Sequence, residues 1–499
     1  MGKRLILVLT LALVIGLSFA AYAEVQNVKV SGDILMSAIS RLDFNLADTC
    51  ALLVGNDAKY DVAGIISQVR LRVDADLTDN VSAVVRLINE RSWGSDNLNN
   101  AATQADDNGD YVAIDLASVT LKEFLYSPVT LTVGRQEIKF GNAMVIGNSW
   151  AQNNPWPGQP SSEWQIPWDL SLRKSFDAVR ATLDYQPLVI DAIYAKISEN
   201  DIWWARGLST PAALTSQERI DIDLYGINTR YDLSALGFKG TGELYYFARS
   251  DKTNAGQQVV NAERSQRLKT DTVHTVGVLT KGQIIPKLTA SLELAYQFGN
   301  SNWAGLAVGP NAGIANAKRQ AFAGQFMANY ALGGKYSPNL GVGYAIFSGD
   351  KNPQNKHDRA WNPMYEDQCL NSIVNALFQQ TNVRYASMQG NIKPIGDITL
   401  SGVYGFYWLD QRTAQNSPFN WDWIRGTRYG EAGYWPSGTG KILGQALDLT
   451  ATYDYTEDVQ FGLTAGYFFP GNAFRRNSTV GRDYDNTASQ LIGSMKVTF

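Results

Sequence analysis

Gln68-Val69-Arg70-Leu71-Arg72-Val73-Asp74-Ala75-Asp76-Leu77 decides the fold of this 499-residue chain. Val69, Leu71, Val73, Ala75 and Leu77 fall on one side, and Gln68, Arg70, Arg72, Asp74 and Asp76 on the other. A period of two means a β-strand. Aliphatic residues alternating with charges suit a wall with lipid outside and water inside, because a charge facing mid-bilayer costs about 2–4 kcal/mol. A soluble sandwich would turn the apolar side inward, and its strands are usually shorter.

The pattern recurs. Leu288, Ala290, Leu292, Leu294, Tyr296 and Phe298 alternate with Thr289, Ser291, Glu293 and Gln297, and Val459 to Phe469 alternate likewise around Gln460, Gly462, Thr464 and Gly466. Several of these runs end in aromatics, as an interfacial girdle requires. Strands are expected near 26–43, 62–77, 81–93, 111–125, 129–140, 175–185, 188–198, 220–231, 240–250, 272–282, 288–299, 319–332, 339–348, 382–393, 398–409, 441–454, 459–469 and 487–499, eighteen in all. Around Leu188 to Ile197 and Thr272 to Gly282 either side could face out, which leaves sixteen or twenty strands as alternatives. Short connections such as Thr78-Asp79-Asn80 and Gln186-Pro187 alternate with long polar ones, such as 94–110, 141–174, 349–381 and 410–440. That asymmetry is that of short periplasmic turns and long outer loops in an all-β, antiparallel, up-and-down transmembrane barrel.

The ends agree. Lys3 and Arg4, the apolar run Leu5 to Phe19 and the small-x-small Ala21-Tyr22-Ala23 read as a secretory signal over residues 1–23. The barrel then occupies 24–499. No later stretch has 18 consecutive apolar residues, so spanning falls to strands. Leu491, Met495, Val497 and Phe499 form a last strand ending in an aromatic. Outer-membrane barrels resemble this, and the resemblance implies recognition of Phe499 by the barrel assembly machinery, with both termini periplasmic and lipid and lipopolysaccharide around the wall.

The mildly acidic balance, formal net charge −4, argues against a nucleic-acid partner. Cys50 and Cys369 fall in loops placed at the same outer end, where a disulfide is possible and spacing cannot establish it. Enzyme chemistry is not indicated. His274 and His357 lack partners at metal-ligand spacing, and no nucleophile elbow, P-loop or dinucleotide fingerprint appears. Asp106 to Asp110 resembles part of a calcium loop but misplaces the glycine and lacks the closing glutamate. No cofactor is expected.

The lumen side is more informative. Alternation places Arg70, Arg72, Arg86, Arg180 and Arg230 inward with Asp74, Asp76, Glu90, Asp184, Glu293 and Asp448. Arg135 and Glu137 lie in a strand whose register the pattern leaves open. Arg70, Arg86, Arg135 and Arg180 stand a similar distance above their periplasmic turns and would form one electropositive constriction. The alternative is cross-strand pairing that merely keeps the lumen hydrated. Trp93 and Trp408 fall at upper strand ends, and Trp150, Trp156, Trp164, Trp168, Trp203, Trp204, Trp303, Trp361, Trp421, Trp423 and Trp435 in outer loops. Those loop rings either stack on sugars at the pore mouth or pack loop on loop.

Gly134-Arg135-Gln136-Glu137, continuing through Phe140-Gly141 to Gly147, resembles the alginate export family of outer-membrane porins. Phe176 to Arg180, Ser348-Gly349-Asp350, Leu447-Asp448 and Phe469-Pro470-Gly471 match further family motifs in order. The resemblance implies an eighteen-stranded monomer with an arginine-rich constriction that attracts polyuronate carboxylates. It carries a pore role onto Arg135, Gln136, Glu137, Arg180 and Asp448. Two departures bear on the cargo. Gly141-Asn142-Ala143-Met144 lacks the family's second arginine, and Gly444-Gln445-Ala446-Leu447-Asp448 lacks its glutamate. Alginate itself is therefore not inherited as substrate, and the expectation is passive diffusion of hydrophilic, anionic solutes or saccharides. The alternatives are a general porin, or a barrel whose Trp-rich outer loops serve as adhesin or receptor.

Overall fold

The computed structural model describes residues 27–44, 46, 62–93, 112–149, 167, 169–201, 219–252, 255, 258–260, 265–302, 316–351, 356–368, 371–378, 380–412, 440–474 and 486–499. The wall strands are β1 Asn27–Leu42, β2 Val62–Thr78, β3 Val81–Ser92, β4 Val112–Leu121, β5 Val129–Glu137 and β6 Ser175–Tyr185. They continue as β7 Leu188–Asp201, β8 Arg219–Asp232, β9 Gly240–Asp251, β10 Asp271–Ile285, β11 Leu288–Ser301 and β12 Ala317–Ala331. The last six are β13 Asn339–Phe347, β14 Val383–Ile395, β15 Ile398–Leu409, β16 Ile442–Asp454, β17 Val459–Pro470 and β18 Ala488–Thr498. Each pairs antiparallel with its sequence neighbour, and β18 returns to β1 through Asp33 opposite Thr498 and Leu42 opposite Ser489. The eighteen strands therefore close, leaving no wall edge unpaired. Two-residue His357–Asp358 adds parallel to β12 at the rim.

The residues are inverted relative to a soluble protein. Leu71, Leu292, Leu294 and Leu463 are exposed on the outside, while Gln68, Glu293, Gln297 and Asp448 are buried within. In water each such leucine would forgo about 1.5–3 kcal/mol of burial. In lipid the same surface is at home. Aromatic girdles mark both ends of this apolar band. Tyr246, His274 and Phe298 stack near the end with the long connections, with centroids 6.1 and 5.1 Å apart, and Tyr453, Tyr455 and Phe461 cluster near the short turns.

The two doubtful registers are settled by pairing. Asp184 faces Val189 and Arg180 faces Ile193, so Val189, Asp191, Ile193 and Ala195 point inward. In β10, Val273, Thr275 and Leu279 point inward and Val276 and Val278 outward.

The inside is not uniformly wet. Toward the end with the long connections many inward positions of β7 to β18 are small or apolar, with Ala195, Ala321, Ala345, Ala446 and Ala488 fully buried. They make room for chain that folds into the lumen. Ile138, Phe140, Met144, Ile146, Trp361, Ile373, Phe378 and Phe474 form the apolar core there, packed against the wall's inner side. Trp361 is 1% exposed and packs on Phe347, so this tryptophan belongs to loop packing. Residues 1–23, Cys50, Cys369, Asp106 to Asp110 and the tryptophans other than Trp93, Trp361 and Trp408 lie outside the described residues.

Candidate functional site

The site is the lumen at the level where three segments fold into it. The first begins where β5 leaves the wall, and its cause is local. Gly134 has φ +117°, and a Cβ there would stand 2.2 Å from the Ala117 carbonyl oxygen, so only glycine fits. Gln136 points inward and its amide donates to the Ala178 carbonyl at 3.1 Å, fastening β5 to β6. Ile138 and Phe140 follow into the core. The turn beyond is held by carboxylates from the far wall. Gly141 N donates to Glu243 at 3.1 Å and Asn142 N to Glu293 at 3.0 Å, while the Tyr245 hydroxyl donates to Glu293 at 2.9 Å. Such bonds are worth about 0.5–1.5 kcal/mol each, and more where the acceptor is charged.

The second segment, residues 359–368 and 371–378, lies beside the first. Gly147 N donates to the Tyr365 carbonyl at 2.8 Å, Tyr365 N to the Val145 carbonyl at 3.0 Å, and Gln368 to the Asn142 carbonyl at 3.0 Å. Gln297 exchanges two bonds with the Asn362 backbone, at 2.7 and 2.9 Å. Its short helix α1, Ser372–Leu377, begins on the wall, because Ser372 N donates to Asp448 and Gln490 donates to Ser372 Oγ at 2.6 Å. Burial pushes the Tyr365 phenol up to about 12, with Arg249 working the other way, so the ring stays neutral in ordinary buffers. The third segment, 169–174, covers β1 to β3. Arg41 holds Asp169, Glu90 accepts from Ser171 Oγ at 2.9 Å and Leu172 N at 2.8 Å, and Arg173 forms an ion pair with Glu90 at 3.2 Å. Lys174 joins Asp367 across to the second segment.

Several residues that alternation places inward thus hold the inserted chain: Glu90, Glu293 and Asp448. The arginines divide. Arg70 holds Asp33 at 2.9 Å, Arg72 holds Asp74 at 2.7 Å, and Arg180 holds Asp191 at 2.8 Å while its guanidinium lies 5.5 Å from the Phe140 ring centroid. Their side chains remain 19, 38 and 30% exposed, so a solute in the lumen can reach them. Arg86 is 9% exposed and enclosed between Asp115, at 2.6 Å, and Glu137. Arg230 and Asp184 face inward near the short turns.

Arg135 departs from the expected belt. It lies opposite Asp177, two residues from the Val133–Val179 pair, and Val179 is exposed on the lipid side. Its guanidinium bonds Asp177 at 2.8 Å and the carbonyl of outward Ile114 at 2.8 Å. Arg135 is thus an outer-surface residue near the rim, and the belt of arginines at one height loses this member. Sequence reasoning also missed Asp33, Asp115, Asp191 and Glu243, and it placed Gln297 on the lumen side without giving it a role. A bulge between Arg86 and Leu87 hides Asp115 from simple alternation. Glu243 and Gln297 sit in regular inward positions and were legible as such.

Among the described residues no group of three or more His, Cys, Asp or Glu is arranged to hold a metal. A closed wall of eighteen strands, apolar outside and narrowed inside by its own loops, defines an outer-membrane channel. Residues 51–487 match the alginate export family, and the chain belongs to it. Among solved structures it is similar to OccAB1 of Acinetobacter baumannii, with TM-score 0.52 and 12% identity over 96% of this chain and 100% of that one. OpdQ of Pseudomonas aeruginosa aligns with TM-score 0.51 and 13% identity over 96% and 99%. At such identity the likeness is one of fold. Among curated proteins none matches the sequence significantly.

Proposed function

We propose that this barrel carries hydrophilic, anionic solutes or acidic saccharide chains across the outer membrane by passive diffusion, without cofactor or covalent chemistry. The observation that carries the reading is the set Arg70, Arg72 and Arg180, inward and still reachable beside the inserted segments. A guanidinium already aligned by one carboxylate keeps further N–H donors for another, so a passing carboxylate can exchange partners at small cost. The inserted segments narrow the path and bring solutes within reach of those arginines. In this reading residues 1–23 are removed on export, both termini face the periplasm, and Phe499 is the assembly signal.

Pairing of those arginines favours a second reading, a general porin without charge preference, since each fixed cation is matched by a fixed anion. Reversal potentials in planar bilayers under a salt gradient separate the two. Wild type should reverse on the anion side and Arg70→Ala with Arg180→Ala should move toward zero. An unchanged reversal potential in that pair would sink the selective reading.

A further inference from the structure

Below the inserted segments, at the periplasmic end, the turns joining β6 to β7 and β8 to β9 leave a cavity of about 720 Å3. Its lining includes Gln186, Arg230, Asp232, Ser234, Lys239 and Thr241. Arg230 faces inward because Asn228, two residues before it, is buried on the lumen side. It differs from the other inward arginines. Arg70, Arg72, Arg86, Arg180, Arg249 and Arg319 each hold a carboxylate. Arg230 makes no ion pair or side-chain hydrogen bond with any described residue. Glu243 lies opposite it in the ladder, but that carboxylate accepts from Gly141 N in the inserted segment. Asp232, the acid in the lining, accepts from Ser234 N at 2.9 Å and so caps the turn. Among the described residues the buried Thr241 hydroxyl has no hydrogen-bond partner.

An unneutralised guanidinium, a lysine and an unsatisfied hydroxyl around one cavity form the donor set that an oxyanion completes. A guanidinium takes a carboxylate through two parallel N–H bonds, and an ammonium adds a point charge. We propose that this cavity binds the carboxylate of an acidic saccharide at the periplasmic mouth, a loading site for solute before it meets the narrowed lumen. The proposal rests on the channel reading and adds to it a place and a side. Because the site exists at one end, binding must be sided.

Sidedness can be read without knowing how a barrel inserted. Sodium glucuronate is added to each chamber in turn while single-channel current is recorded. In wild type the half-blocking concentrations from the two chambers should differ by about tenfold, the change that losing one charge-assisted contact produces. They should converge in Arg230→Gln with Lys239→Gln and stay apart in the charge-retaining Arg230→Lys with Lys239→Arg. Lys239→Gln alone, in an exposed turn, should narrow the gap if the double variant does not assemble. Equal block from both chambers in wild type, no block from either, or a gap that survives in Arg230→Gln with Lys239→Gln overturns the site. A conducting wild type with symmetric block leaves the channel reading standing, whereas a wild type that never conducts overturns both.

Discussion

Gly134 is the residue on which the inserted segment turns. Any side chain there must push back the Ala117 carbonyl and adopt a φ of +117°, so strain of about 1–3 kcal/mol is expected from Gly134→Ala. Thermal unfolding of the purified barrel, followed by its boiling-dependent gel mobility, should show a lower transition, and an unaltered transition would mean that β5 tolerates a Cβ. The neighbouring Arg135 shows where residue-scale reading fails. Its place in the Gly-Arg-Gln-Glu motif suggested a pore role, yet pairing with Asp177 sets it on the outer surface. Arg135→Ala should therefore leave ion selectivity unchanged; a selectivity change would return it to the lumen. In the same motif Gln136 fastens β5 to β6 and Glu137 closes on Arg86.

At the scale of elements, the strands were legible and the inserted segments were not. Strands declare themselves by period two because every residue sees either lipid or lumen. Ile138 to Asn148 and Arg359 to Phe378 have no period, and what holds them is remote. Gly141 reaches a carboxylate 102 residues away and Asn142 one 151 residues away. Glu293 and Asp448 were readable as inward, but nothing nearby in sequence shows that backbone N–H groups await them. Removing those acceptors tests the arrangement. Glu293→Ala with Asp448→Ala leaves Asn142 N and Ser372 N without their carboxylates, at a cost of about 1–3 kcal/mol each. The inserted chain should then fluctuate, seen as noisier and larger single-channel currents with the barrel intact; quiet wild-type currents would show that apolar packing alone holds the segments.

The whole molecule combines an inverted surface with a filled outer half. Closure of β18 on β1, the outward leucines and the aromatic ends were all foreshadowed by alternation, and eighteen strands emerged as read. The composition of the lumen was foreshadowed only below the inserted segments, where charges alternate cleanly. Above them Ala195, Ala321, Ala345 and Ala446 look in sequence like weak strand positions; their smallness is what admits Phe140, Trp361 and Phe378. Long-range attraction of anions by the remaining charge should be screened by salt, since exposed charges interact over about 8–10 Å at moderate ionic strength.

Single-channel recording of the wild-type chain in planar bilayers, under a potassium chloride gradient, tests the central claim most directly. The account predicts discrete steps smaller than an unobstructed eighteen-stranded lumen would give, with a reversal potential on the anion side that weakens as salt rises. Absence of steps from correctly folded barrels, or a reversal potential at zero or on the cation side, would contradict it.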